Sequence, residues 1–441
     1  MNLRLKRDLG AFTALSVLAV SGVASAGGFY IQEQSAAGVG RAQAGNVAIA
    51  DDASTLYFNP AGLTQLPGIQ IDSGLDLIVP DAGLHDQGSS VHSPFAGPNG
   101  IQGGNGGNPG SSTVIPDFYL SAQIPDSMVT LGFGVSAPFG FASKFEQNSF
   151  ARYDSIDSFV ETIDFQPTIA LKLNKWLSLG VGLDEQYSYV KLRSAVPDPF
   201  TPGMINSDGR LTLTGHTWST GFNGGLLIQP DDKTNIGLSY RYGITHNIRG
   251  SLTVANLQGL VSVANQQVTG TAALDLPDIV QVGVAHHLTP DLTLLAEFDY
   301  YSWSNFKAIN IHTTSPTLGN LVTQEQYRDT YSFSVGAEYQ LDPQWRIRGG
   351  VKYDQTPTVD AYRDTRVPDG DRVWLATGFH YQWSEHIGFD GSYAHIFVTD
   401  SNINIQRSFY DTVPAVQTFA NIRAKSTVSL DLLTAGFTYK F

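Results

Sequence analysis

The sequence predicts an all-β fold, a transmembrane antiparallel β-barrel of about fourteen strands with an N-terminal hatch inside the lumen. Three observations lead there. The C-terminal segment alternates, with Leu433, Ala435, Phe437, Tyr439 and Phe441 on one parity and Thr434, Gly436, Thr438 and Lys440 on the other. Such a strand has one apolar face, and it closes in the aromatic girdle that marks a lipid interface. The N-terminus carries an export signal, and between the two ends tight turns alternate with long polar connections.

The signal consists of Arg4, Lys6 and Arg7, an apolar stretch from Leu9 to Val20, and the small residues Ala24-Ser25-Ala26, after which cleavage is expected. Its apolar stretch is too short to span a bilayer as a helix. Residues 1–26 are therefore excluded from the fold. Residues 27–67 are Gly- and Ala-rich, carry Asp51-Asp52 and reach Asn59-Pro60, where a proline would break a sheet. This leader reads as a plug, because side chains alone cannot fill a lumen of this width. Residues 68–441 form the barrel.

Tight turns recur at Pro125-Asp126, Asn174-Lys175, Pro230 to Lys233, Thr289-Pro290-Asp291, Asp342-Pro343-Gln344 and Gln382 to Glu385. Longer polar connections lie near 80–112, 141–157, 194–209, 247–272, 304–326, 355–371 and 399–424. Both chain ends then fall on one side, as in single-chain outer-membrane barrels, with short turns in the periplasm and long loops outside. A secreted sandwich or propeller does not require that regularity.

Parity sorts side chains by face. Trp345, Ile347, Val351 and Tyr353 point to lipid, and Arg346, Arg348, Lys352 and Asp354 inward. In the strand before, Tyr331, Phe333, Val335 and Tyr339 face lipid, leaving Arg328, Ser332, Ser334 and Glu338 inside; one strand earlier, Glu297 and Asp299 are the inward pair. These charges read mainly as an interior salt-bridge network. Glu185 and Asp431 fall on the lipid face, where bulges or strand ends above the hydrocarbon are expected.

Composition excludes several functions. The absence of cysteine removes disulfides and thiolate chemistry, and a net charge of −14 disfavours nucleic acid. The ten histidines show no metal-ligand spacing, there is no G-x-S-x-G or P-loop, and no cofactor is expected.

The stretches Gly28-Phe29, Gly38-Val39-Gly40-Arg41-Ala42, Ala48-Ile49-Ala50-Asp51-Asp52-Ala53 and Asn59-Pro60-Ala61 closely resemble the N-terminal hatch of the FadL family, outer-membrane transporters of long-chain fatty acids and other hydrophobic compounds. Tyr301-Ser302-Trp303-Ser304-Asn305-Phe306 and Val367 to Leu375, which includes Trp374, resemble two further family motifs in the right order. The resemblance implies a plugged barrel in which a hydrophobic molecule binds first between outer loops. It then enters a pocket against the hatch N-terminus and leaves sideways at a kinked third strand. Carried over, Phe29 and Trp374 would line the ligand site and Arg328 would meet the head group. Asn59, Pro60 and Ala61 would pack near the kink, and Gly140 would sit at it. Lys191 and Arg193 stand out of register with the family's second basic position, for which Arg193 is kept as a candidate.

The expected function is thus uptake of long-chain fatty acids, with toluene- or xylene-like hydrocarbons as the alternative and an outer-membrane lipase or protease as the reading from another class. Expected partners are the hydrophobic ligand, outer-membrane lipid and lipopolysaccharide, and the barrel-assembly machinery acting on Phe441. The protein is expected to be a monomer in the outer membrane of a Gram-negative bacterium.

Overall fold

Alternation of apolar and polar residues makes each crossing segment a strand with one face for lipid and one for the lumen. In the computed structural model, which describes residues 27–441, these strands are β1 (Ile69–Asp86), β2 (Thr113–Gln123), β3 (Val129–Ser136), β4 (Asp157–Lys172), β5 (Leu177–Val196), β6 (Gly209–Asp231) and β7 (Thr234–Arg241). They continue as β8 (Ile279–His287), β9 (Leu292–Tyr301), β10 (Thr330–Gln340), β11 (Trp345–Asp354), β12 (Arg372–Gln382), β13 (Ile387–Val398) and β14 (Thr418–Lys440). Each pairs antiparallel with the next, and β14 returns to β1 in unbroken register from Gln70↔Lys440 to Asp86↔Ala424. The ring is therefore closed, with its strands paired on both sides everywhere along the lipid belt except at the third strand. The expected export signal, 1–26, lies outside the described residues.

The two faces follow the sequence parity. Phe333, Trp345, Ile347, Val351 and Phe437 are exposed on the outside, while Glu297, Asp299, Arg348 and Lys352 are buried within. Glu185 and Asp431 do face outward, but no bulge accommodates them: the β5–β6 and β1–β14 registers run through without a shift. Each lies eight or nine residues from the inner end of its strand. That places it roughly 20–23 Å up a strand tilted by about 40°, near the rim of the apolar band. There Thr220 donates to Glu185 at 2.7 Å, and Tyr393 donates to Asp431 at 2.6 Å.

Several long connections are not loops. Residues 247–272 form most of a hairpin, Thr245–Ala255 with Gln266–Asp275, that also pairs with the upper part of β6. Ser401–Phe409 extends the upper part of β14 in the same way. These ribbons also alternate, but their apolar side, Leu252 and Val254 in one and Ile403 and Ile405 in the other, is buried in the clusters formed by the long connections rather than turned to lipid.

Residues 27–66 lie inside the ring and are almost entirely buried. They form α1 (Ala36–Gly40), α2 (Thr55–Phe58) and a 3-10 turn (Pro60–Gln65). Wall glycines seat this hatch: a Cβ on Gly237 would stand 1.8 Å from the Val47 carbonyl oxygen, and one on Gly350 would stand 2.0 Å from that of Arg41. On β3 the space over Gly132 is filled by Leu56 and Leu63, and that over Gly134 by Leu56 and Tyr119. Charge completes the attachment. Arg41 Nη1 donates to Asp51 at 2.7 Å and to Glu338 at 2.8 Å, Arg346 Nη1 reaches Asp51 at 2.8 Å, and Arg348 bridges Glu338 and Asp390.

Burial alone would raise the Asp51 carboxyl, but Arg346 and Arg41 hold it well below the usual carboxylate range. A carboxylate whose folded value is depressed stabilises above its unfolded value of about 3.9 and loses that contribution as pH falls toward the folded value. Pepsin should therefore cut within 27–67 increasingly as the pH drops below about 4, whereas the anchor stays intact above it. Cleavage independent of pH across that range would show that Asp51 does not hold the hatch.

Candidate functional site

The wall is incomplete at one place. The β2–β3 ladder runs only from Phe118↔Val135 to Gln123↔Thr130, so Thr113–Asp117 of β2 pairs with β1 alone. Beyond Ala137-Pro138-Phe139 the third strand resumes as Gly140–Lys144, paired only with β4. Proline at 138 has no N–H to give to a neighbouring strand, and a side opening lies between Thr113–Asp117 and Gly140–Lys144.

The hatch covers this break from within. Ile31 N–H donates to the Pro138 carbonyl at 2.8 Å, and Gly140 N–H donates to that of Phe29 at 2.9 Å. Gln34 adds a side-chain bond to the Ala137 carbonyl at 3.0 Å. Residues 29–34 thus serve as a short substitute strand. Glu33 is buried in that stretch, and burial pushes its carboxyl up to about 7.

Above the substitute strand lies an apolar cavity. Phe29 forms its floor, with ring centroids 4.8 Å from Trp303, 5.5 Å from Phe306 and 5.9 Å from Phe141. Val160, Val190, Leu192, Leu213, Ile248, Leu274 and Val367 line the walls with Tyr327, whose ring packs on Trp303 and Phe306 at 5.7 and 5.0 Å. The polar exceptions are Glu325, Asp364 and Arg366. The sequence reading missed all three, because they stand in loops where no periodicity assigns a face.

Of the residues singled out from sequence, Phe29 lines the cavity and Gly140 follows the break directly. The others lie elsewhere. Asn59, Pro60 and Ala61 do not pack at the kink. They press on Gly180 of β5 and Gly225 of β6, where Asn59 Nδ2 donates to the Leu226 carbonyl at 2.9 Å. Trp374 is fully buried outside the cavity, among Ile31, Ile78, Ile115 and Leu430. Arg193 pairs with Asp157 at 3.2 Å, as does Lys191 at 2.8 Å.

Arg328 is displaced most. Its side chain is 47% exposed, donates through Nε to the Thr356 carbonyl at 3.2 Å and stands 3.8 Å from Asp371. Lumen parity fails to reach it because β10 begins only at Thr330 and Gln326 has a φ of 45°; Tyr327 points inward in its place. An exposed ion pair of this kind is worth roughly 0–1 kcal/mol. Arg328→Ala is therefore expected to change oleate binding by less than about fivefold. A tenfold loss specific to carboxylate ligands, measured by equilibrium binding, would return the head-group role to it.

Comparison with known proteins agrees with this architecture. Over 412 residues the chain is 28% identical to a long-chain fatty acid transport protein of Escherichia coli, covering 87% of this chain and 90% of that one. The crystal structure of a Pseudomonas aeruginosa FadL homologue superposes with a TM-score of 0.84 at 23% identity, covering 94% of this chain and all of the other. The Pseudomonas putida toluene transporter TodX gives 0.64 at 17% identity, over 91% and 98% of the two chains. The sequence profile described as outer membrane protein transport protein (OMPP1/FadL/TodX) matches residues 17–441. The break in the third strand, the buried hatch and this match over nearly the whole chain converge: the protein belongs to the OMPP1/FadL/TodX family of outer-membrane transport proteins, and it is not an enzyme.

Proposed function

We propose that the protein takes up long-chain fatty acids, holding the alkyl chain in the cavity above Phe29 and releasing it sideways through the break in the third strand. The observation that carries this reading is the position of the cavity floor. Phe29 contributes both a ring to the cavity and a carbonyl to the hydrogen bonds that cover the break. Moving one short segment therefore joins the cavity to the membrane. An apolar chain gains roughly 0.8 kcal/mol per buried CH₂, so a route from cavity to lipid that bypasses water suits such a ligand.

Aromatic hydrocarbons are the second reading, favoured by the Phe29, Trp303, Phe306 and Tyr327 rings and by the likeness to a toluene transporter. Uptake of labelled oleate and toluene by a strain lacking its own transporter separates the two. Oleate uptake without toluene uptake is expected, and the reverse would overturn the fatty-acid reading. In the same proposal the protein works as a monomer, meets lipopolysaccharide and lipid along its apolar belt, and presents the exposed Phe441 to the assembly machinery.

A further inference from the structure

We propose that Glu325 and Arg366 form a head-group end of the cavity that takes a terminal carboxyl by sharing one proton with it. This rests on the transport reading above and adds how the ligand's polar end is selected. Glu325 is 5% exposed and lines an otherwise apolar cavity. Its backbone N–H donates to the Lys307 carbonyl, but its carboxyl has no hydrogen bond or ion pair to any described residue. Arg366 lines the same end, and its Nε–H is buried without a partner. Buried polar atoms are ordinarily paired, so a free carboxyl beside a free donor marks a place for something that is polar at one end.

Charge decides what fits. From the loop between β11 and β12, Arg366 binds Asp364 and also Asp154 at 3.1 Å. From the ribbon Ser401–Phe409, Arg407 binds Asp154 at 2.7 Å and Asp364 at 3.2 Å. These four charges cancel. Arg363 is occupied by Asp360, and the remaining neighbour, Tyr327, is neutral. Glu325 is therefore the one group here whose charge is not matched. Burial and Asp364 push its carboxyl well above the ordinary range, against Arg366 and Arg407. As a neutral acid it can donate its O–H to a ligand carboxylate, whose second oxygen accepts from Arg366 Nε–H. The pair then holds one proton and one negative charge between two carboxyl groups. Two ionised carboxylates would repel, so acid ligands need that proton. An alcohol does not, because its own O–H can donate to ionised Glu325.

The test uses the full mature protein in lipid nanodiscs, with sodium decanoate and decan-1-ol as probes and quenching of tryptophan fluorescence as the readout. Above the Glu325 titration, decanoate affinity should fall by about tenfold per pH unit, since one proton is taken up with the ligand, while decan-1-ol affinity stays level. Glu325→Gln keeps a donor and an acceptor and should bind decanoate without that pH dependence; retained decan-1-ol binding, at whatever affinity, and heat-modifiable migration show that its cavity is intact. Identical pH profiles for decanoate in the wild type and Glu325→Gln overturn the proposal while leaving the transport reading standing. Binding of neither probe by the wild type would overturn the transport reading, and this one with it.

Discussion

Replacing Gly237 and Gly350 together by valine is expected to turn a closed barrel into one that conducts ions steadily across a planar bilayer, a large steady conductance that the unaltered protein is expected to lack. The two Cβ atoms would lie 1.8 Å and 2.0 Å from carbonyl oxygens of the hatch backbone at Val47 and Arg41. Contacts that short cannot be absorbed by turning a side chain. Each wall glycine is held in ladders on both sides, Gly237 between Leu227 and Gly283, and Gly350 between Gly336 and Ala376. The wall therefore stays and the hatch moves. Valine is well suited to strands, so the barrel itself should still migrate as a folded, heat-modifiable species. A folded double variant that remained electrically silent would show that the hatch does not seal the lumen in the way these contacts imply.

The second large effect is expected at the break. Gly140→Val should lower oleate uptake by at least about tenfold, an added barrier of roughly 1.4 kcal/mol, with no gain in conductance. A Cβ there stands 3.0 Å from the Val160 carbonyl and 3.3 Å from Ile31 Cδ1, so the branches of valine crowd the place where the substitute strand crosses the opening. The ladder to β4 needs only the backbone of residue 140 and survives. Loss of uptake with conductance unchanged separates the exit from the plug, and normal uptake in this variant would remove the side opening from the transport route. Asn59→Ala offers a contrast. Asn59 lies on β5 and β6 rather than at the break, so its loss should loosen the hatch rather than block the exit.

The strands were legible because a wall facing lipid on one side and a wet interior on the other imposes a period of two on every crossing. Trp345 to Tyr353 shows that period without ambiguity. Arg328 shows where it stops: two residues before β10 the backbone turns, and a parity counted backward from Ser332 assigns the wrong face. The ribbons beyond the membrane were hidden for another reason: Thr245–Ala255 alternates too, but its apolar side, Leu252 and Val254, packs on neighbouring connections, so alternation alone does not tell it from a crossing strand. Asn59-Pro60-Ala61 was recognisable as a motif, but which wall strand it touches depends on how the leader winds inside the ring, and no local pattern encodes that path. Gly180, Gly225, Gly237 and Gly350 are seats only in relation to that path. Glu325 and Arg366 come to one cavity from two separate loops. The one local hint was the mixed-charge run Arg363-Asp364-Thr365-Arg366, which a solvated loop would display equally well.

The ring closes where β1 meets β14, and the hatch is joined to the chain immediately before β1. The segment that must end up inside is thus tethered to the strand that completes the enclosure, and it is made hundreds of residues before the strand that seals it. A finished cylinder braced by an unbroken seam of paired residues gives no late entry to a folded insert that presses on glycines around its inner wall. Docking and zipping are therefore obliged to keep an order: the leader settles against the open sheet, on Gly132 and Gly134 of β3 before Gly180 of β5 and Gly225 of β6 as these emerge, and the seam joins around it. The same contacts that close the channel in the mature protein act during biogenesis as the mould on which the sheet curls.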